Sequence, residues 1–423
     1  METIKFYTVG CKVNQYETQL MREQFLRRGF KELEDSESSD IYVINTCTVT
    51  HKADSDSFSF IHKAKRENPK AKIIVTGCLV ELDEDKIKKI NRSILTVKNK
   101  DKNKIVDLLD GRTEKQKDAK TEKIITYFKT HTRAFLKIQD GCNNFCSYCK
   151  VPLVRGRSRS RNLGEILEEA KALVENGYKE IVLCGICLGA YGKDLKPEVS
   201  LLKVIKELEK INGLLRIRLS SLEAEDITDE LIEYMGTSEK LCSHLHIPLQ
   251  SGDDEILKKM NRKYSQKNYL RLIKKIKKKI PEVAITTDIL VGFPTETEKN
   301  FQNTLNLVKE ILPLKVHIFA YSSRPQTPAF NFKEKVNPKI IKKRQVLLKK
   351  IAQKCSLIYK KQFLNQTKEV LFENNFKSQA NLWQGYTDNY LRVLVKSNND
   401  LKNQIIPVKL NKIKGDFILA HFF

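Results

Sequence analysis

No apolar run in the 423-residue chain reaches 18 residues, so no segment is expected to span a membrane. The first residues, METIKFYTVGCK, lack the basic-then-apolar layout of a secretory signal. Acidic side chains are in deficit: 52 Asp and Glu face 77 Lys and Arg, a formal net charge of +25. That balance suits a polyanionic partner, whose phosphates would dominate affinity and make it salt-dependent. Lysine and asparagine are abundant throughout, so local concentration tells more than the total. Residues 333–361 carry eleven Lys or Arg against one acid, Glu334, a pattern that favours nucleic-acid contact. RLIKKIKKK at 271–279 reads instead as a solvated helix face. A strict internal repeat and low-complexity tracts are also missing. The ten cysteines do not read as a disulfide scaffold: six sit in cluster-like positions, which points to a reducing compartment, the cytoplasm.

Three of them, Cys142, Cys146 and Cys149 in DGCNNFCSYC, are spaced C-x3-C-x2-C. Three thiolates in one short loop can hold three irons of a cubane [4Fe–4S] cluster and leave the fourth iron open for chemistry. Structural zinc would close its tetrahedron with a fourth ligand, and no further Cys or His follows nearby. Cys11, Cys47 and Cys78 each end an apolar run: IKFYTVGC, IYVINTC and AKIIVTGC. Such β-branched runs read as parallel strands whose carboxyl ends line one crevice. Three distant thiolates could converge there on a second metal site, with buried thiols as the alternative. Cys184 and Cys187, a C-x2-C on a later strand, read as packing, as do Cys242 and Cys355. His244 and His246 share a strand face, where packing or a hydrogen bond is the better reading.

The expected fold class is α/β. Residues 1–110 read as a parallel α/β domain with strands at 4–9, 41–46, 71–77 and near 94–98, and 111–130 as a polar linker. Six strand-then-helix units follow within 128–361, with strands at 135–141, 180–187, 215–223, 242–250, 284–293 and 314–322. They predict a partial (β/α)6 barrel, open along one side, with the Cys142 loop on its C-terminal face. A basic helix over 338–361 extends this domain. Alternating short strands over 362–423 predict a small β-barrel. Phe372, Phe376, Trp383, Tyr386 and Tyr390 lie among its lysines, where some would stack unpaired bases and about half must be core. Arg155, Arg157, Arg159 and Arg161 alternate, which would place all four on one side of an extended segment to meet phosphate or carboxylate.

CNNFCSYC followed by VPLVRGRSRSR resembles the radical S-adenosylmethionine (SAM) enzymes. Cys11, Cys47 and Cys78 resemble the second-cluster ligands of the methylthiotransferases, and the C-terminal barrel resembles a TRAM domain. SSLEAEDIT (220–228), HIPLQSGDDEILKKMNRKY (246–264), GFPTET (292–297) and YSSRPQTPA (321–329) extend the match over nearly the whole chain. GCKVNQYET (10–18) and NTCTVTHKADSDS (45–57) are similar to the MtaB branch. Thr295, Pro325-Gln326 and Cys187 depart from the family pattern. The resemblance implies two [4Fe–4S] clusters, SAM bound at the open iron, a reducing electron donor and a sulfur donor. Its implied reaction is methylthio transfer to C2 of N6-threonylcarbamoyladenosine at position 37, in the anticodon loop of tRNA. Alternatives are isopentenyladenosine-37, a ribosomal-protein aspartate, or a non-catalytic Fe–S RNA-binding or redox-sensing protein. Implied cofactor contacts are Arg155 and Arg161, with Gly185, Gly189, Ser221, Arg262, Gly292 and Glu296 as weaker candidates.

Overall fold

The computed structural model describes residues 1–34, 37–110, 124–129, 131–376, 379 and 381–423, so most of the expected linker at 111–130 lies outside the described residues. Near the N-terminus the apolar runs form a parallel sheet in the order β2-β1-β3-β4-β5. Its strands are β1 (Thr3–Thr8), β2 (Lys31–Glu32), β3 (Ile41–Thr46), β4 (Lys72–Gly77) and β5 (Leu95–Val97). The short edge strand β2 has no apolar signature and was not expected. Central β3 is buried along its whole length, as a strand covered by helices on both faces must be. The helices are α1 (Lys12–Arg27), α2 (His51–Glu67), α3 (Cys78–Ile90) and α4 (Ile105–Asp110). Helix α3 starts at Cys78 itself, directly after β4, and is interrupted at Asp83, whose φ of −130° and ψ of 34° are not helical.

The six expected barrel strands are β6 (Ala134–Lys137), β9 (Glu180–Cys184), β10 (Arg216–Leu219), β11 (His244–His246), β12 (Ala284–Val291) and β13 (Lys315–Ala320). The first of them stops early, and a two-residue strand, β7 (Gln139–Asp140), pairs antiparallel with β8 (Arg159–Ser160). Parallel ladders join β6-β9-β10 and β11-β12-β13, and the bridges Ile217↔Leu241 and Ser221↔His246 connect the halves into one arc. Among the described residues no ladder links β6 to β13, so the barrel stays open. Outer helices are α5 (Val151–Arg155), α6 (Leu163–Glu175), α7 (Leu201–Glu209), α8 (Asp229–Met235), α9 (Asp254–Lys259), α10 (Gln266–Lys279) and α11 (Glu298–Ile311). Helices α6 to α11 start where a side chain of Asn162, Ser200, Thr228, Asp253, Ser265 or Thr297 caps a free backbone N–H. On α10, Lys274, Lys275 and Lys279 pair with Glu310, Asp229 and Glu233, the solvated face the sequence suggested.

Helix α12 (Pro338–Lys361) packs Leu348, Ala352, Cys355 and Tyr359 inward. It leaves Lys339, Lys342, Lys343, Lys349, Lys350 and Lys354 exposed. Beyond it β14 (Thr367–Asn375), β15 (Leu382–Thr387), β16 (Arg392–Lys396), β17 (Ile405–Lys414) and β18 (Phe417–His421) close a barrel in the order β14-β15-β16-β18-β17. The chain is thus a mixed α/β protein ending in a small closed β-barrel. Of the five aromatics, Phe372 and Trp383 are core. Tyr386 and Tyr390 do not face solvent as base-stacking platforms. They stack on each other, and Tyr390 lies on His244 at the lower end of the large barrel. Arg216 and Arg218 there donate to the carbonyls of Glu369, Tyr386, Thr387 and Asp388 at 2.8–3.1 Å, so strand β10 docks the small barrel directly. Phe376 is half-buried against Phe417 and Arg392.

Candidate functional site

The loop from β7 to α5 carries the first cysteine trio, and its backbone is fixed on every side. Gly141 has φ 72°, and a Cβ there would lie 2.0 Å from the Arg157 carbonyl, so only glycine fits. The Cys142 N–H donates to the Gly156 carbonyl (3.1 Å) and the Ser147 N–H to that of Met260 (3.0 Å). The Ser147 carbonyl accepts from the Ala329 N–H (2.8 Å), tying in the segment beyond β13. Each sulfur receives an N–H donor: Cys142 from the Asn144 N–H, Cys149 from the Val151 N–H and Cys146 from Arg262 Nη1, all at 3.4 Å. Such donors stabilise thiolate charge and tune any metal bound to it. Burial pushes Cys149 up to about 12 and also raises Cys146. Cys142 is brought down to about 7, first by the neighbouring Cys187 sulfhydryl. Cys187 therefore does more than fill space within its strand end: its Sγ lies 3.8 Å from both Asn144 Nδ2 and Asp226 Oδ2, against the loop. Cys184 is simply buried, as expected.

The second trio is assembled from neighbouring strands. Cys11 follows β1, Cys47 follows β3 and Cys78 follows β4, at the carboxyl edge of one sheet. The β3–β4 register pairs Thr46 with Gly77, which puts Cys47 beside Cys78. A Cβ on Gly10, next to Cys11, would come within 3.0 Å of the Cys47 sulfur. Asn14 Nδ2 draws the edges together by donating to the carbonyls of Val9 (2.7 Å) and Thr46 (3.0 Å). Burial, reinforced by Cys78 and Cys11, pushes Cys47 up to about 12.

Two polar clamps set this sheet edge across the barrel. Arg155, at the end of α5, pairs with Glu17 of α1 (2.8 Å) and Asp140 (3.0 Å), and also bonds Asn14. Glu17 further takes Lys102 (2.5 Å) and Lys137 (2.7 Å). Burial opposes ionisation of Glu17, but these three cations outweigh it and hold its carboxyl well below the usual range. On the other side Arg324, after β13, reaches the carbonyl of Thr48, the residue after Cys47 (2.8 Å), and Asp54 in α2 (2.6 Å). Arg155, six residues past Cys149, bonds Asn14 Oδ1, and Asn14 Nδ2 in turn holds the carbonyls of Val9 and Thr46 next to Cys11 and Cys47. The two trios therefore share a boundary.

Several expected contacts are placed otherwise. Arg155 ends a helix, not an extended segment, and its guanidinium is taken by carboxylates, so the four arginines do not form one face. Arg161 bridges Tyr16, the Lys137 carbonyl and Glu169, another inter-domain strut. Arg157 and Arg159 are exposed, with Arg157 over the Phe145 ring. Gly292 donates to Glu296, and Glu296 pairs with Arg344 at 2.8 Å, which anchors α12 to the barrel. Gly185 and Gly189 are needed for close approach to Gln139 and Asp226. Arg262 alone of these touches a trio, held by Glu223 while it donates to Cys146. Ser221 lies half-buried at the end of β10, bridged to His246. The roles of Asn144, Glu223 and Arg324 carry no spacing signal in the sequence.

Residues 136–308 match the radical SAM superfamily, and residues 3–99 match a family described as uncharacterized protein family UPF0004. The threonylcarbamoyladenosine tRNA methylthiotransferase MtaB of Bacillus subtilis is 39% identical over 97% of this chain and 94% of its own length. That of Thermotoga maritima is 38% identical over 93% and 91%. The chain belongs to the radical SAM methylthiotransferase family. Identity alone does not choose a branch within it. The tRNA-2-methylthio-N(6)-dimethylallyladenosine synthase of Clostridium tetani is 37% identical over 96% of this chain and 93% of its own length. The radical SAM methyltransferase TsrM of Kitasatospora setae shares the fold, with a TM-score of 0.58 at 14% identity over 78% of this chain and 77% of that one. The family implies SAM and a [4Fe–4S] cluster. The first trio fits one, since three sulfurs in one fixed loop each carry an N–H donor. No helix is long and apolar enough to cross a membrane among the described residues.

Proposed function

We propose that this methylthiotransferase adds a methylthio group to C2 of N6-threonylcarbamoyladenosine at position 37 of tRNA, with labour divided among residues 1–110, 128–361 and 362–423. The juxtaposition of two three-cysteine sets about Arg155 is the observation that carries the reading. Cys142, Cys146 and Cys149 hold one [4Fe–4S] cluster, and Cys11, Cys47 and Cys78 hold a second. When bound, these groups supply one-electron cleavage of SAM and the sulfur to be transferred, chemistry that an unactivated aromatic C–H requires. The chain supplies position and charge. Asn144, Val151 and Arg262 donate to the first sulfurs, and Arg262 and Ser221 would contact bound SAM. The exposed Arg157 and Arg159 and the lysines of α12 meet phosphates of the anticodon stem and loop. An anticodon-loop purine is already unpaired, so splaying it out costs less than flipping a paired base. The residues after Cys11 and Cys47 support the threonylcarbamoyl branch over the dimethylallyl one. An electron donor and a sulfur donor of the cytoplasm complete the system. Mass spectrometry of tRNA nucleosides from a deletion strain tests this: the methylthio group should vanish from threonylcarbamoyladenosine. Its persistence, with no second enzyme to explain it, refutes the assignment.

A further inference from the structure

The barrel interior below the cysteine loop holds a group of side chains with no part in the reading above. On β12, Tyr269 of α10 bonds Thr287, and Ile285 and Ile289 lie in the same helix-facing core. Thr286, Asp288 and Leu290 therefore face the lumen. Leu290 packs with Phe293 and Tyr148, the residue before Cys149, so Asp288 lies two strand positions, about 7 Å, below the level of the loop. Registers set Asp288 beside His317 and His246 beside Thr286. Ligand atoms of His246, Asp288 and His317 all fall within 4.8 Å of one another.

We propose that His246, Asp288 and His317 bind one divalent transition-metal ion of borderline softness, of the zinc class, inside the barrel lumen. Two imidazole nitrogens and one carboxylate form the three-ligand set of open zinc sites, which leave a position for water or a substrate oxygen. His246 Nε2 lies 3.2 Å from Asp288 Oδ1, and the ion replaces a proton between them. Its Nδ1 meets the Thr286 hydroxyl at 2.9 Å, a contact beyond the ligands that fixes the ring. A hydrogen bond between His246 and Asp288 alone would leave His317 idle. Yet the His317 ring stands edge-on to His246 at 5.5 Å with no hydrogen-bond partner among the described residues. The side chains of His246 and Asp288 stay 15% and 24% exposed, which leaves room for the further ligand. The site does not depend on which nucleoside is modified.

Crystals of the full chain, purified anaerobically with its cysteines occupied by iron–sulfur clusters, are soaked in zinc chloride and measured on both sides of the zinc absorption edge. An anomalous peak bonded to His246, Asp288 and His317 is expected. Clear density for the three side chains without that peak overturns the proposal and leaves a proton in the gap. Equilibrium dialysis with zinc should count one fewer ion per chain in H317A and D288N at unchanged iron content and circular dichroism. T286V should weaken binding about 10–100-fold. Equal zinc in wild type and H317A also overturns it.

Discussion

The two cysteine sets are brought together by opposite structural means. Cys142, Cys146 and Cys149 fall within eight residues, and one glycine with a handful of backbone hydrogen bonds fixes them. Cys11, Cys47 and Cys78 are spread over 68 residues and meet only because β1, β3 and β4 are adjacent and parallel. A local set tolerates changes elsewhere in the chain. An assembled set inherits every weakness of its sheet and of the clamp that holds the sheet to the barrel. Radical generation and sulfur supply should therefore fail separately.

The largest effect expected is on that separation. Cys142→Ala, Cys146→Ala or Cys149→Ala should abolish 5′-deoxyadenosine formation with SAM and a strong reductant. Cys47→Ala should keep it, lose sulfur attachment, and drop iron from about eight to about four per chain. Loss of both activities in Cys47→Ala would show the sets are not independent. Next, Glu17→Ala leaves Lys102, Lys137 and Arg155 without their shared carboxylate. Breaking such a buried pairing should lower unfolding free energy by about 3–5 kcal/mol in chemical denaturation, and iron should be lost first from the assembled set.

The same clamp gives a pH dependence. The depressed carboxyl groups of Glu17 and Asp140 contribute stability that is present above their unfolded values, about 4.3 and 3.9. That contribution is lost as pH falls below those values towards the folded ones. Circular dichroism should show an acid transition there that Glu17→Gln weakens. Arg262→Ala, acting on the local set, should slow SAM cleavage about 10–100-fold and leave sheet-edge iron unchanged. Smallest, Lys342→Ala with Lys343→Ala should reduce the salt slope of tRNA binding by about 2 and spare SAM cleavage.

What the sequence disclosed follows the same division. Strand runs, the six-unit arc and both cysteine sets were readable because hydrophobic period and residue type are local signals. The partners of arginines were not: Arg155, Arg161 and Arg324 find carboxylates, hydroxyls or carbonyls more than 130 residues away. Glu296 is a weaker cofactor candidate by resemblance alone, and its side chain pairs with Arg344, 48 positions on. Which of the five C-terminal aromatics would be core is not a local signal either: Tyr386 and Tyr390 lie at the face that docks on β10.

That docking has a consequence for the enclosed chemistry. Tyr390 covers His244 from below, with Arg218 and the fully buried Glu180 around it, so the small barrel acts as a stopper in the floor of the large one. A tube with an open floor would let water and diffusing quenchers reach any reactive carbon species generated above. The C-terminal barrel therefore serves as a seal, and deleting it should raise unproductive SAM consumption per product.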